Sequence, residues 1–281
     1  MKEYKQDYFA GERALFSTHK AKIISSVFEA GESPLKESSE LYIEDSIFGW
    51  KYPLWYCKEV RLKACTLLEG ARSGIWYTHG ISIENSVIEA PKTFRRASDI
   101  TLIEVSMPKA QETLWNCKDV KIKDVVAVGD YFGFNSENIV CDNFTIDGNY
   151  LFDGAKNVTV RNSKLISKDA FWNTENVRVE NSLIIGEYLG WNSKDVTLID
   201  CTIQSLQGLC YMKNVKLINC KLINTTLAFE YSSVDAELVG RVESVKNPLP
   251  DSRIAADEIK EIILEGEYTD PDRVEIVTKK I

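Results

Sequence analysis

The chain has 281 residues, 44% hydrophobic and 27% charged, a globular composition with length enough for a large core. Forty-two acidic residues against 34 basic ones give a formal charge of −8, and no long basic block occurs, which argues against nucleic acid and anionic membrane as partners. No stretch approaches the roughly 20 apolar residues of a membrane span. Residues 1–16 lack the apolar core of a signal peptide, so a cytoplasmic protein whose seven cysteines are thiols is expected.

Residues 1–20 read as an N-terminal cap. KIISSVF (22–28) and LYIEDSIF (41–48) then read as weak first copies of a unit that becomes clear further on. LWNCKDVKIKD (114–124), GFNSENIVCDN (133–143), FWNTENVRVEN (171–181) and GWNSKDVTLID (190–200) are near-copies of one sentence. Their branched anchors run from Val60 through Ile81, Ile100, Val120, Ile139, Val158, Val177, Val196 and Val215 to Val234, at spacings of 19 to 21 residues. A period of that length means a solenoid.

The columns of the repeat give its geometry. Two residues past the anchor stand Leu62, Ile83, Leu102, Ile122, Cys141, Val160, Val179, Leu198, Leu217 and Ala236, and the residues between are charged or small and polar in every copy but one, where Val140 stands. Alternation with period two means a strand with one buried side. Asn or Asp recurs just before the anchor (Asn138, Asn157, Asn176, Asp195) and four places after it (Asn143, Asn162, Asn181, Asp200). These residues tolerate the left-handed backbone of a tight bend, and their amides can stack as ladders. A small column (Cys65, Ser86, Ser163, Ser182, Cys201, Cys220) and an apolar one (Leu67, Ile88, Leu165, Ile184, Ile203) follow. Nothing offers a helix between strands. The expected fold is all-β, a single-domain parallel β-helix of about 11 coils of 19–20 residues, with coils over 21–246. Residues 247–281 form a last coil and a cap, because solenoid ends must cover unpaired strand edges.

The pattern V-x-h-x-N-S/C-x-h resembles the right-handed, pectate-lyase-like β-helix, and right-handedness is implied by that resemblance. Gly11-Glu12-Arg13-Ala14-Leu15-Phe16, the repeated Trp-Asn-Ser/Thr/Cys and Asp270-Pro271 resemble a bacterial family of uncharacterised proteins with a domain of unknown function. That resemblance implies a β-helix over nearly the whole chain and no established activity. Similar chains sometimes carry a hydrogenase label. A metal centre of that kind needs clustered cysteines, and no Cys-x-x-Cys pair occurs.

Chemical motifs are sparse. His19 and His79 are the only histidines, and no metal site or cofactor is expected. The cysteines fall in inward columns and read as core thiols. Polygalacturonase-like hydrolases use Asn-Thr-Asp, Asp-Asp and Gly-His-Gly stretches. Asn173-Thr174-Glu175 and Thr78-His79-Gly80 are faint echoes in the wrong order, at ordinary turn positions, with no Asp-Asp pair. Asp142, Arg161 and Glu180 share one outer column and read as a surface charge ladder.

The aromatic column is the strongest lead. Trp55, Trp76, Trp115, Phe134, Trp172 and Trp191 stand five places before the anchor, and Phe94 and Phe152 one place earlier. Cys57, Thr78, Cys117, Ser136, Thr174 and Ser193 follow two places on. Strand alternation puts these small residues on the aromatic side, which favours tryptophans pointing inward and a Leu/Ile/Gly column pointing out. The opposite assignment leaves a tryptophan ladder outside, suited to sugar rings. On either assignment Tyr56, Tyr77, Asn116, Asn135, Trp172, Asn173, Trp191, Asn192 and Tyr211 are the candidate ligand-binding residues. The leading expectation is a protein that binds or modifies an oligosaccharide or sugar derivative. The alternative is a non-catalytic scaffold whose apolar face pairs with a second copy in a homo-oligomer. A third reading is an enzyme built from surface acids such as Asp142 and Glu180, with carboxyl pKa values shifted beside a pocket.

Overall fold

The computed structural model describes residues 2–279. The chain is all-β with about 2% helix, a parallel β-solenoid of about 15 turns. It falls into two compact units, Met1–Phe144 and Thr145–Ile281. The turns outnumber the expected 11 because the terminal segments also stack. Strand Lys2–Lys5 pairs in parallel with His19–Ile24, Lys2 opposite Ala21. At the other end Arg253–Ala256 pairs with Glu275–Thr278.

In the first unit the anchors lie in register: Ala21, Leu41, Val60, Ile81, Ile100 and Val120 oppose one another from turn to turn. In the second unit Val158, Val177, Val196, Val215 and Val234 do the same. Each anchor and the residue two places on are buried, and the residue between them faces out. In the first unit the next inward column stacks Phe9 on Phe28 and Phe28 on Phe48, at 4.8 and 4.7 Å between ring centres. In the second, Leu165, Ile184, Ile203 and Leu222 fill that place.

Each turn bends through residues with positive φ. In one turn of the second unit these are Tyr188, Gly190, Asn192, Asp195 and Asp200. Asn and Asp dominate the two bends that flank the anchor strand, since their short polar side chains tolerate the left-handed region. The side chains join across turns: Asn176 Nδ2 donates to Asn157 at 2.9 Å, and Asn181 Nδ2 to Asn162 at 2.8 Å. Inside the bends, hydroxyls satisfy backbone groups that the strand ladder leaves unpaired. The Cys117 N–H donates to Ser136 Oγ at 2.8 Å, and that hydroxyl donates to the Leu114 carbonyl at 2.6 Å. The Thr174 N–H donates to Ser193 Oγ at 3.0 Å, and Ser193 donates to the Phe171 carbonyl. The small polar column is therefore an inner capping device.

All seven cysteines are buried free thiols. Burial pushes Cys65 up to about 11 and Cys57, Cys117 and Cys210 up to about 12. These four stay protonated at neutral pH and are poor nucleophiles.

Candidate functional site

The tryptophans do not point into the core. Trp55, Trp76, Trp115, Trp172 and Trp191 are half-buried on the outer face, while Leu54, Ile75, Leu114, Phe171 and Leu209 beside them are fully buried, so the inward assignment is corrected. The cause is local. The residue after each aromatic (Tyr56, Tyr77, Asn116, Asn135, Asn173, Asn192), and Tyr211 after Cys210 in the same column, has a φ of 52° to 59°. A left-handed residue between two extended ones turns the chain, so positions i and i+2 no longer share a face. Phe94 and Phe152 are core residues too. Phe94 opposes Ile75, and Arg95 takes the aromatic slot opposite Trp76.

The indole N–H of each of these five tryptophans is committed to backbone. Trp55 donates to the Ser73 carbonyl, Trp76 to Lys92, Trp115 to Tyr131, Trp172 to Tyr188 and Trp191 to Gln207, at 2.6 to 2.9 Å. The flat faces are committed as well. In the first unit Trp55 stacks on Trp76 at 5.3 Å and 7°, and the Arg95 guanidinium lies 4.6 Å from Trp76 and 4.7 Å from Trp115. Tyr56 stacks on Tyr77 at 4.8 Å, with Lys36 over Tyr56 and Arg96 over Tyr77. In the second unit Trp172 stacks on Trp191 at 5.8 Å and 7°. A sugar ring needs an open aromatic face, so these ladders serve the fold more than a ligand. In the first unit Asn116 and Asn135 stand exposed beside their ladder.

Tyr211 differs. It meets Trp191 at 65° and Tyr231 at 54°, so neither neighbour covers it in parallel, and it is 41% exposed. Burial, then the nearby Glu230 carboxylate, raise its phenol pKa, which keeps the hydroxyl neutral. It borders a cleft of about 350 Å³ lined by Asn173, Thr174, Glu175, Asn192, Ser193, Lys194, Tyr211 and Lys213. The structure thus brings Asn173, Asn192 and Tyr211 together, while Trp172 and Trp191 do not line the cleft. The Thr174 and Ser193 hydroxyls are used within the bend, as described above. Glu175 bridges Lys194 at 2.8 Å and Lys156 at 3.6 Å, and its pKa is lowered first by Lys194. The Glu175–Lys194 pair of the cleft rim is held in its charged form.

The charge ladder is a set of surface ion pairs in the second unit. Glu180 pairs with Arg161 at 2.8 Å and with Arg178, which lower its pKa in that order. A carboxylate held ionised in this way is a poor proton donor. Asp142 lies in the first unit, half-buried.

The raised carboxyl is one that sequence reasoning missed. Asp169 is 2% exposed, and its Oδ1 has no hydrogen-bond partner among the described residues. Burial raises its pKa, Lys168 and a hydrogen bond from Tyr150 oppose the rise, and Glu187 and Asp153 add to it. The signal was present in the 19-residue column Tyr131, Tyr150, Asp169, Tyr188, where one acid replaces an aromatic. Asp153 also accepts from Asn173 Nδ2 at 2.9 Å, which ties this corner to the cleft. Among the described residues no group of three or more His, Cys, Asp or Glu side chains is placed to hold a metal ion. No helix there is long and apolar enough to cross a membrane.

The family model described as "Protein of unknown function (DUF3737)" matches residues 2–277, and the chain belongs to that family. No curated protein matches the chain. Among solved structures it is similar to the mannuronan C-5 epimerase AlgE4 A-module of Azotobacter vinelandii, at 12% identity over 95% of this chain and 88% of that one, with a TM-score of 0.31. The AlgE6 A-module of the same organism gives 11% identity over 84% and 88%, with a TM-score of 0.41. A tailspike double mutant of E. coli bacteriophage HK620 gives 10% identity over 92% and 62%, with a TM-score of 0.34. Likenesses this weak do not bear on chemistry.

Proposed function

We propose that the chain binds an oligosaccharide or sugar derivative in the second-unit cleft, with Tyr211 as the ring platform and Asn173 and Asn192 as the hydroxyl readers. The observation that carries this reading is the convergence of an unstacked, exposed tyrosine with two amides on one cleft. Aromatic faces match the C–H side of a sugar ring, and amides supply both donor and acceptor to its hydroxyls. Lys194 and Lys213 add positive charge at the rim, which favours acidic sugars over neutral ones.

A thermal-shift screen with neutral and acidic oligosaccharides tests this. Ligand at about 100 times its dissociation constant adds roughly 2.7 kcal/mol of stability. The shift is expected to vanish in Tyr211→Ala and to shrink in Asn192→Gly, which keeps the left-handed backbone. A panel with no shift, or a shift that both variants retain, counts against the cleft.

Self-association is the second reading, and a separate feature favours it. In the first unit Val27, Ile47, Thr66, Val87, Ser106 and Val126 form one outward row in register without a single charge. Val126 is 54% exposed. A second copy turned about a two-fold axis sets apolar row on apolar row and buries no charge. The expected result is a concentration-dependent mass by sedimentation that Val126→Lys abolishes. A monomer at all concentrations removes this reading.

A further inference from the structure

We infer that the first unit carries a second binding site, a cleft for a small polyhydroxylated ligand bearing one anionic group. The cleft is a shallow depression of about 760 Å³, open to solvent, on the outward side of the anchor strands. Its floor is one column in register: Lys22, Tyr42, Arg61, Ser82 and Thr101. Strand spacing of about 4.8 Å places Lys22 and Arg61 roughly 10 Å apart, one on each side of Tyr42. Lys22 Nζ lies 5.6 Å from the Tyr42 ring centre. Along one rim stand Glu40, Glu59 and Asp99, with Gly80 interrupting the row.

The surface elsewhere is rich in ion pairs, and this cleft departs from that habit. Neither Lys22 nor Arg61 has an ion-pair partner among the described residues, and neither do Glu59 and Asp99. Two cations and two acids within one cleft remain unneutralised by each other. A guanidinium left free offers a planar fork to a carboxylate or phosphate. Free carboxylates beside it accept from paired hydroxyls, and Ser82 and Thr101 donate or accept. Tyr42 supplies a ring at the centre. Gly80 leaves the acid rim open between Glu59 and Asp99, where a ligand can enter. A purely anionic ligand meets the acids unfavourably, and a neutral one leaves Arg61 unused. Hydroxyls and one anionic group together satisfy both. This site is independent of the second-unit cleft.

Titration calorimetry of the full chain with four probes tests the inference: glucose 6-phosphate, glucuronate, glucose and inorganic phosphate. At least one of the first two is expected to bind about tenfold tighter than glucose or phosphate. If glucose 6-phosphate leads, the anionic group is a phosphate ester, and if glucuronate leads, it is a carboxylate. Arg61→Gln is expected to erase the preference over glucose. Gly80→Asn, whose side chain fills the gap while tolerating the backbone, is expected to weaken all the sugars. All variants and probes are measured in the Tyr211→Ala background, so that the other cleft does not contribute. Equal binding of phosphate alone, no binding by any probe, or a preference that survives Arg61→Gln overturns the inference.

Discussion

Phe48→Ala is expected to lower stability by about 3–5 kcal/mol, the usual cost of emptying a large buried aromatic site. Phe48 is fully buried and stacks on Phe28 with ring planes 5° apart. A solenoid gains its core only from neighbouring turns, so a gap in one turn weakens the contact on both sides. The rigid strand ladder leaves little room for the turns above and below to collapse into the space. Urea unfolding measures the loss as a fall in midpoint. A loss below about 1 kcal/mol, the level of an exposed substitution, contradicts the stacked-core account. Trp191→Ala belongs to the same class of experiment. Its indole is bonded to Gln207 and stacked on Trp172, so the substitution damages the fold as well as any ligand contact. Tyr211 and Asn192 are the cleaner probes of binding.

Asp169→Asn is expected to stabilise the protein at neutral pH, because it removes a charge that burial disfavours and keeps the side chain's shape. The sign follows from linkage. The native carboxyl has a pKa raised above its unfolded value, so the native state holds the proton longer than the unfolded chain does. Below the unfolded titration near 3.8 both states are protonated and the charge costs nothing. As pH rises from there through the raised native pKa, wild-type stability falls, and it levels off once the native carboxyl is ionised. The advantage of Asp169→Asn therefore opens with rising pH and then stays constant. Asparagine also accepts the left-handed backbone at this position, where φ is 57°. Melting temperatures of both proteins from pH 3.5 to 8 give the difference directly. A difference that does not change with pH contradicts the burial of an ionising group. A destabilising acid whose neighbour Asp153 bonds the cleft residue Asn173 is the kind of local cost that function imposes.

The repeat made the strands and bends legible, because a 19-residue period aligns every column by inspection. The Val177–Arg178–Val179 alternation and the Asn176 and Asn181 bends are where the columns place them. The tryptophan direction was not legible by the same rule. Period-two alternation holds within a strand, and Asn173 and Asn192 are left-handed corners that interrupt it. The terminal turns were hidden for a different reason. Lys2–Lys5 stacks on the next turn through backbone pairing, while Lys2 stands exposed where Ala21 and Leu41 are buried. Within the candidate site, Asn173, Asn192 and Tyr211 were readable as a column. That Tyr211 escapes the parallel stacking of Tyr56 and Tyr77 depends on ring angles, which no sequence pattern encodes.

The most direct test of the proposed function is a crystal structure of the chain with the saccharide that gives the largest thermal shift. Ligand density over the Tyr211 ring, with hydroxyls within hydrogen-bond distance of Asn173 and Asn192, is the expected result. Density elsewhere with this cleft unoccupied contradicts it.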